Sequence, residues 1–152
     1  MNPWMEVALN EALKGMESNE GGPFGALIVR GGTIISQAHN EVLKTNDPTA
    51  HAEILVIREA SQKLSTYDLS ECTLYTTCYP CPMCMGAIFW ARIPTVYYAS
   101  SKEDAEEGGF NDKVFYTMIR TPEIAVNLHY TKSEKAKALF AHWRTKEDRQ
   151  LY

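Results

Sequence analysis

Two short runs hold residues whose types and spacing suit metal chemistry: His51-Ala52-Glu53 and Pro80-Cys81-Pro82-Met83-Cys84. Cys81 and Cys84 are three apart, so on a helix of about 3.6 residues per turn they share one face. Pro82 suits a first helical turn, which puts the pair at a helix N-terminus, where the dipole favours thiolate over thiol. His51 adds a neutral nitrogen. Three protein ligands around Zn2+ leave a fourth tetrahedral position open to water, the arrangement of a catalytic rather than a structural zinc. Zinc makes that water acidic, and Glu53 can take the proton it releases. One geometric problem stands out. Positions two apart on a helix point about 200° away from each other. His51 must therefore lie at the helix start, with Glu53 reaching the water from the first full turn.

Taken singly, each residue has a plainer role. A lone histidine is usually a polar surface or core residue, and a lone glutamate is an ordinary exposed helix residue. A Cys-x-x-Cys pair is also a redox pair, and Cys78 and Cys81 repeat the spacing. Cys78 lacks a flanking proline and falls at a strand end, so packing is its expected role; Cys72 is expected in the core. Two cysteines, a histidine and a water-facing glutamate together outweigh those separate readings. The four cysteines do not form a disulfide framework if the chain is cytosolic.

These residues need elements to hold them. Asn2 and Pro3 open a helix over 3–16 with Met5, Ala8, Leu9, Ala12, Leu13 and Met16 as its apolar stripe. Residues 24–30 and 33–38 flank Gly31-Gly32 and predict a β-hairpin. A polar loop over 40–47 leads to a helix over 49–63. A strand over 72–77, a helix over 81–90 and a strand over 95–99 follow. Alternation at Ile124, Val126, Leu128 and Tyr130 predicts a fifth strand. A closing helix over 133–149 turns Ala136, Leu139, Phe140 and Trp143 inward. The pattern is α/β, a mixed sheet with helices on both faces.

The 152 residues suit one domain over 1–152, and 45% hydrophobic with 22% charged residues is an ordinary globular balance. No stretch approaches the ~20 apolar residues of a membrane span. Glu6, Asn10 and Glu11 interrupt any signal-peptide core near the start, so a cytoplasmic protein is expected. The net charge of −4 opposes a nucleic-acid partner. Lys132, Lys135, Lys137, Arg144, Lys146 and Arg149 gather late, but Glu134, Glu147 and Asp148 offset them, as on a solvated helix face.

The two zinc runs carry the histidine-x-glutamate and proline-cysteine-x-x-cysteine motif of the zinc deaminases. With Gly-Gly-Pro-Phe-Gly-Ala (21–26), Asn-Asp-Pro-Thr-Ala-His-Ala-Glu (46–53), Gly-Ala-Ile-Phe-Trp-Ala-Arg (86–92) and Gly-Phe-Asn-Asp (109–112), the sequence resembles the cytidine deaminase superfamily. Within it, the sequence is similar to the small bacterial guanine deaminases. The resemblance implies a three-layer α/β/α sandwich with a mixed five-stranded sheet, one Zn2+ per subunit and a homodimer. It also implies that the segment from about 130 to 152 swaps onto a partner, giving Tyr152 a place at that partner's site. Hydrolytic loss of an amino group from a free purine is the implied reaction. Phe24 would stack on the purine, Asn40 would bond its edge, and Trp90 would line the pocket. Asp112 would accept from N1–H and the amino group of guanine; adenine presents an acceptor at N1. Without the resemblance, Phe24 and Trp90 are core aromatics, Asn40 a turn residue, Asp112 a solvated acid and Tyr152 a frayed terminus.

The chain departs from the family at Asn111, where these enzymes often carry a first of two acids. Guanosine or an aminotriazine therefore stand as alternative substrates. Transfer-RNA adenosine deaminases share the run over 46–53, though the acidic stretch over 103–112 opposes a polyanion. Cytosine deamination needs only a smaller pocket. A non-catalytic zinc scaffold is the alternative of a different class, and the presence of Glu53 argues against it.

Overall fold

The computed structural model describes residues 2–152. Helix α1 spans Pro3–Glu17, started by the Asn2 side chain, whose oxygen accepts from the Trp4 N–H at 2.9 Å. Strands β1 (Gly25–Arg30) and β2 (Thr33–His39) form the expected hairpin. Gly31 and Gly32 turn it at φ 56° and 76°, the left-handed values that a two-residue hairpin loop requires. A one-turn helix α2 (Val42–Thr45) precedes α3 (Ala52–Leu64). Then come β3 (Thr73–Cys78), α4 (Pro82–Trp90), β4 (Thr95–Ser100), α5 (Lys102–Glu107), α6 (Phe115–Met118) and α7 (Glu134–Thr145).

The sheet order is β2-β1-β3-β4, antiparallel except for the β3–β4 pair, which α4 connects. Strand β1 is buried from Gly25 to Val29 and explains the continuous apolar run. Leu27 and Val29 pack with Met5, Ala8 and Tyr75 beneath α1. Ala26 and Ile28 face the other way into a larger core with Ala52, Val56, Leu74 and Ile88. The sheet thus lies between α1 on one face and α3 and α4 on the other. The closest approach is at Gly25: a Cβ there would strike the Ala8 carbonyl and come within 2.7 Å of the Ala12 nitrogen.

Three expectations are corrected. The sheet has four strands, not five. Pro122–Ile124 form a 3-10 turn, and 126–130 run without regular structure and exposed. Alternation reports one apolar face but not what covers it, and here no sheet edge of the same chain takes that face. Helix α7 forms as expected, capped by Ser133, yet Leu139 and Phe140 remain 69% and 70% exposed rather than turned inward. Helix α3 starts at Ala52, not near residue 49, because Asp47 binds the Thr49 N–H and hydroxyl (2.8 and 2.7 Å) and holds that stretch as a turn. No helix among the described residues is long and apolar enough to cross a membrane.

Gly25→Ala should therefore destabilise the fold by roughly 1–3 kcal/mol, the cost of forcing a methyl between packed backbones, read as a lower urea midpoint with unchanged slope.

Candidate metal centre and pocket

Two helix N-termini converge on one point. His51 is the residue before α3, with an extended backbone (φ −74°, ψ 151°). Cys81 occupies the same position before α4 (φ −66°, ψ 168°), followed by Pro82 in the first turn. Because His51 is not yet helical, it and Glu53 can reach one site, which resolves the 200° problem. His51 Nδ1 lies 3.6 Å from Sγ of both Cys81 and Cys84. A tetrahedral zinc with bonds of about 2.3 Å to sulfur and about 2.0 Å to nitrogen separates such atoms by about 3.6 Å. The donor set therefore fits zinc, and all three donor atoms lie within 4.8 Å of one another.

The electrostatics agree. The Cys84 thiol and the His51 ring both bond the Cys81 sulfur, which also accepts the Cys84 backbone N–H; despite burial these pull Cys81 down to about 4. The bond to Cys81, with burial, pushes Cys84 far up, so the pair carries one thiolate and a proton that a metal would displace. Glu53 is only 5% exposed. Its Oε1 accepts from the Thr76 hydroxyl at 2.8 Å, and Oε2 lies 3.5 Å from Cys84 Sγ. Burial raises its carboxyl above the usual carboxylate range.

The centre forms the floor of a cavity of about 640 Å3 lined by Phe24, Asn40, His51, Glu53, Cys81 and Asp112, among others. Phe24 meets Phe110 edge to face, centroids 4.8 Å apart. Asn40 is 6% exposed; its side-chain oxygen accepts from the Val42 N–H, leaving the amide NH2 for other acceptors. Asp112 opens a 3-10 turn, and burial, then the Cys81 thiolate, raise its carboxyl. The segment carrying it is tied to the metal loop: the Tyr116 hydroxyl donates to the Pro80 carbonyl, and Lys102 Nζ sits over the Tyr79 and Tyr116 rings at 4.4 and 4.1 Å.

Trp90 and Tyr152 are not brought to this cavity within the chain. Trp90 lies at the far end of α4, 67% exposed, with its ring 5.9 Å from that of Tyr152. The two border a separate groove of about 530 Å3 with Leu139, Phe140 and Trp143. Within one chain Trp90 does not line this cavity, because it ends a helix whose opposite end holds the metal ligands. Phe115, Leu43 and Thr76 also reach the site without having been singled out from sequence, and Phe110 and Pro48 lie within the motif runs without an expected role there. Thr76 could have been found from strand alternation, since β3 leads directly to the metal loop. Leu43 and Phe115, on the one-turn helices α2 and α6, carry no local signal.

The profile of the cytidine and deoxycytidylate deaminase zinc-binding region matches residues 2–100. The chain belongs to that family. It is 42% identical over 151 residues to the guanine deaminase of Bacillus subtilis, covering 98% of this chain and 97% of that one. The X-ray structure of a Bacillus subtilis guanine deaminase superposes with a TM-score of 0.95 over 100% of this chain and 99% of that one, at 42% identity. A guanine deaminase structure from Nitrosomonas europaea gives 0.68 at 33% identity, over 72% and 63% of the chains. A transfer-RNA-specific adenosine deaminase from Aquifex aeolicus is 46% identical over 106 residues, 70% of this chain and 68% of that one. The zinc-binding deaminase family thus accounts for the constellation of His51, Cys81 and Cys84.

Cys84→Ser should lower zinc content well below one ion per chain, measured by mass spectrometry of the metal, and should lower Tm, because binding free energy of the ion contributes to folding.

Proposed function

We propose that this protein is a guanine deaminase, converting guanine and water to xanthine and ammonia. The observation that carries the reading is Asp112, a partly buried carboxylate in the same cavity as the metal ligands and Glu53. Guanine offers N1–H and an amino group as neighbouring donors to it, whereas adenine would set an acceptor against it. The full-length likeness to the Bacillus enzyme supports the same choice.

Zinc held by His51, Cys81 and Cys84 supplies Lewis acidity and makes the reacting water acidic. Glu53 takes a proton from the water as its oxygen bonds to C2 of guanine, and passes it to the ring nitrogen. It takes the second proton and delivers it to the amino group, which leaves as ammonia while the C2 carbonyl forms. Phe24 stacks on the ring. The Asn40 amide NH2 donates to a purine acceptor, and its oxygen, fixed by Val42, sets the orientation. The acidic face of α5 opposes a polyanionic substrate.

The active form is a cytoplasmic homodimer in which the segment from about 130 to 152 crosses to the partner, and Tyr152 helps close the partner's cavity. The exposed apolar side chains of Ile124, Val126, Leu128, Tyr130, Leu139 and Phe140 support this. Sedimentation should give twice the mass of one chain, and a chain ending at residue 130 should sediment as a monomer; a full-length monomer would overturn the swap.

Ammonia release from zinc-loaded protein with guanine, guanosine, an aminotriazine, adenine, cytosine and transfer RNA should be confined to guanine. Glu53→Gln should keep zinc and lose roughly 10²–10⁴ in kcat. Asp112→Ala should lower kcat/KM for guanine by more than about tenfold with zinc content unchanged. Equal turnover of adenine would exclude the role given to Asp112.

A further inference from the structure

His39 closes β2 outside the metal cavity, buried, with its ring against α1 at Gly15, where any Cβ would collide with the imidazole. Nδ1 lies 2.9 Å from Glu11 Oε2 on α1. Nε2 is hydrogen-bonded to Glu20 Oε2 in the loop between α1 and β1. Glu11 Oε1 also accepts from Gln37 Nε2 at 3.0 Å, a second bond that holds the carboxylate in place. An ionised carboxylate only accepts, so two of them on one ring call for both ring nitrogens to donate, which is the imidazolium. Burial opposes that charge, but the bonds to Glu20 and Glu11 outweigh it and raise His39 above its ordinary value. The same bond holds Glu20 below the usual carboxylate range.

Other charged groups face this bridge. Lys14 on α1 lies 3.9 Å from Glu11, and Lys44 on α2 lies 3.8 Å from Glu20 and 3.5 Å from Glu41. Glu20, His39 and Glu41 are close enough to hold a cation. The proton on Nε2 and the Lys44 ammonium already satisfy those atoms.

The bridge joins two walls of the cavity. The Glu20 carbonyl accepts from the Leu43 and Lys44 N–H groups, both at 3.0 Å, and the Glu20 N–H donates to the Gly15 carbonyl. Residues 21–24 follow Glu20 and carry Phe24; Asn40 follows His39. The Asn40 N–H donates to the Phe24 carbonyl at 2.9 Å, and Gly21 packs so closely on Asn40 that a Cβ would collide with it. A carboxylate–imidazolium–carboxylate bridge thus sits where the Phe24 and Asn40 walls meet.

We propose that His39 is a positioning residue: bridged to Glu11 and Glu20, it holds the Phe24 and Asn40 walls in register for the base and relaxes them when it gives up its proton. The assignment rests on the purine role of Phe24 and Asn40 given above. Because the folded-state value is raised, the bridge is complete at low pH and is lost as pH rises through that value. The KM for the base should follow, while the metal centre, built on α3 and α4, is left as it was.

The test uses the zinc-loaded full chain as wild type, His39→Gln and Glu20→Gln, with steady-state kinetics from about pH 6 to about pH 9.5. At the acid end His39→Gln should raise KM on the order of tenfold, with kcat and zinc content close to wild type. The ratio of variant to wild-type KM should fall toward one as pH rises. Ionisation of the base itself is common to both and cancels in the ratio. Glu20→Gln removes one carboxylate and should move the wild-type rise in KM to lower pH. A ratio independent of pH, or an unshifted profile in Glu20→Gln, overturns the proposal. Amide hydrogen exchange at Leu43 and Lys44, corrected for intrinsic rate, needs no substrate. It should speed up with pH in wild type and already be fast in His39→Gln; equal protection in both overturns the bridge. If no free base is turned over but exchange behaves as expected, the bridge stands and the purine reading alone fails.

Discussion

Two helices begin at the same place, and each carries a metal ligand at the residue just before its first turn. That constraint fixes much else. An N-terminus offers unpaired backbone N–H groups and the positive end of a dipole, so it stabilises the thiolate of Cys81 and allows a carboxylate such as Glu53 to be buried nearby. To bring both ends together, α3 and α4 must lie on one face of the sheet, and they do, sharing a core of Ala26, Ile28, Val56, Leu74 and Ile88. The other face is left to α1, whose approach at Gly25 is close enough to exclude a side chain. The sheet is therefore less a site than a ruler, setting the separation of the two helix starts.

Around that floor the walls are largely loops and one-turn helices, tied to one another and to the elements beside them. The segment with Asp112 is held to the metal loop by Tyr116, Pro80 and the Lys102 ammonium between two rings. The segments with Phe24 and Asn40 are held to each other by backbone bonds and by the Glu11–His39–Glu20 bridge. The metal ligands and the cavity walls are thus held by different parts of the molecule. A fold arranged this way can change what enters the cavity through its loops while the metal ligands and Glu53 stay in place, in keeping with a family whose relatives include both guanine and transfer-RNA adenosine deaminases.

The segment from about residue 130 to 152 behaves differently. Its helix forms for local reasons, with Ser133 as cap and an apolar stripe, but Leu139 and Phe140 of that stripe stay largely exposed. Its last residues touch the body, where the Tyr67 hydroxyl donates to the Leu151 carbonyl and the Tyr152 ring meets Tyr67 and Trp90.

The sequence by itself determined the elements whose signals are local: the hairpin turned by Gly31 and Gly32, the caps at Asn2 and Ser133, and the placement of Cys81 before Pro82. It also determined His51, Glu53, Cys81 and Cys84 as one constellation, because chemistry restricts those residue types at those spacings more tightly than packing does. Tertiary structure alone decided how many strands the sheet has, since alternation at Ile124, Val126, Leu128 and Tyr130 describes a face and not its cover. It alone placed Trp90 beside Tyr152 rather than in the lining of the cavity of its own chain, because an aromatic at a helix end carries no local signal of what it packs against. It alone brought Phe110 against Phe24 and His39 between two carboxylates from α1 and its following loop. Those contacts join residues far apart in the chain, and no periodicity or motif records a distance that only folding closes.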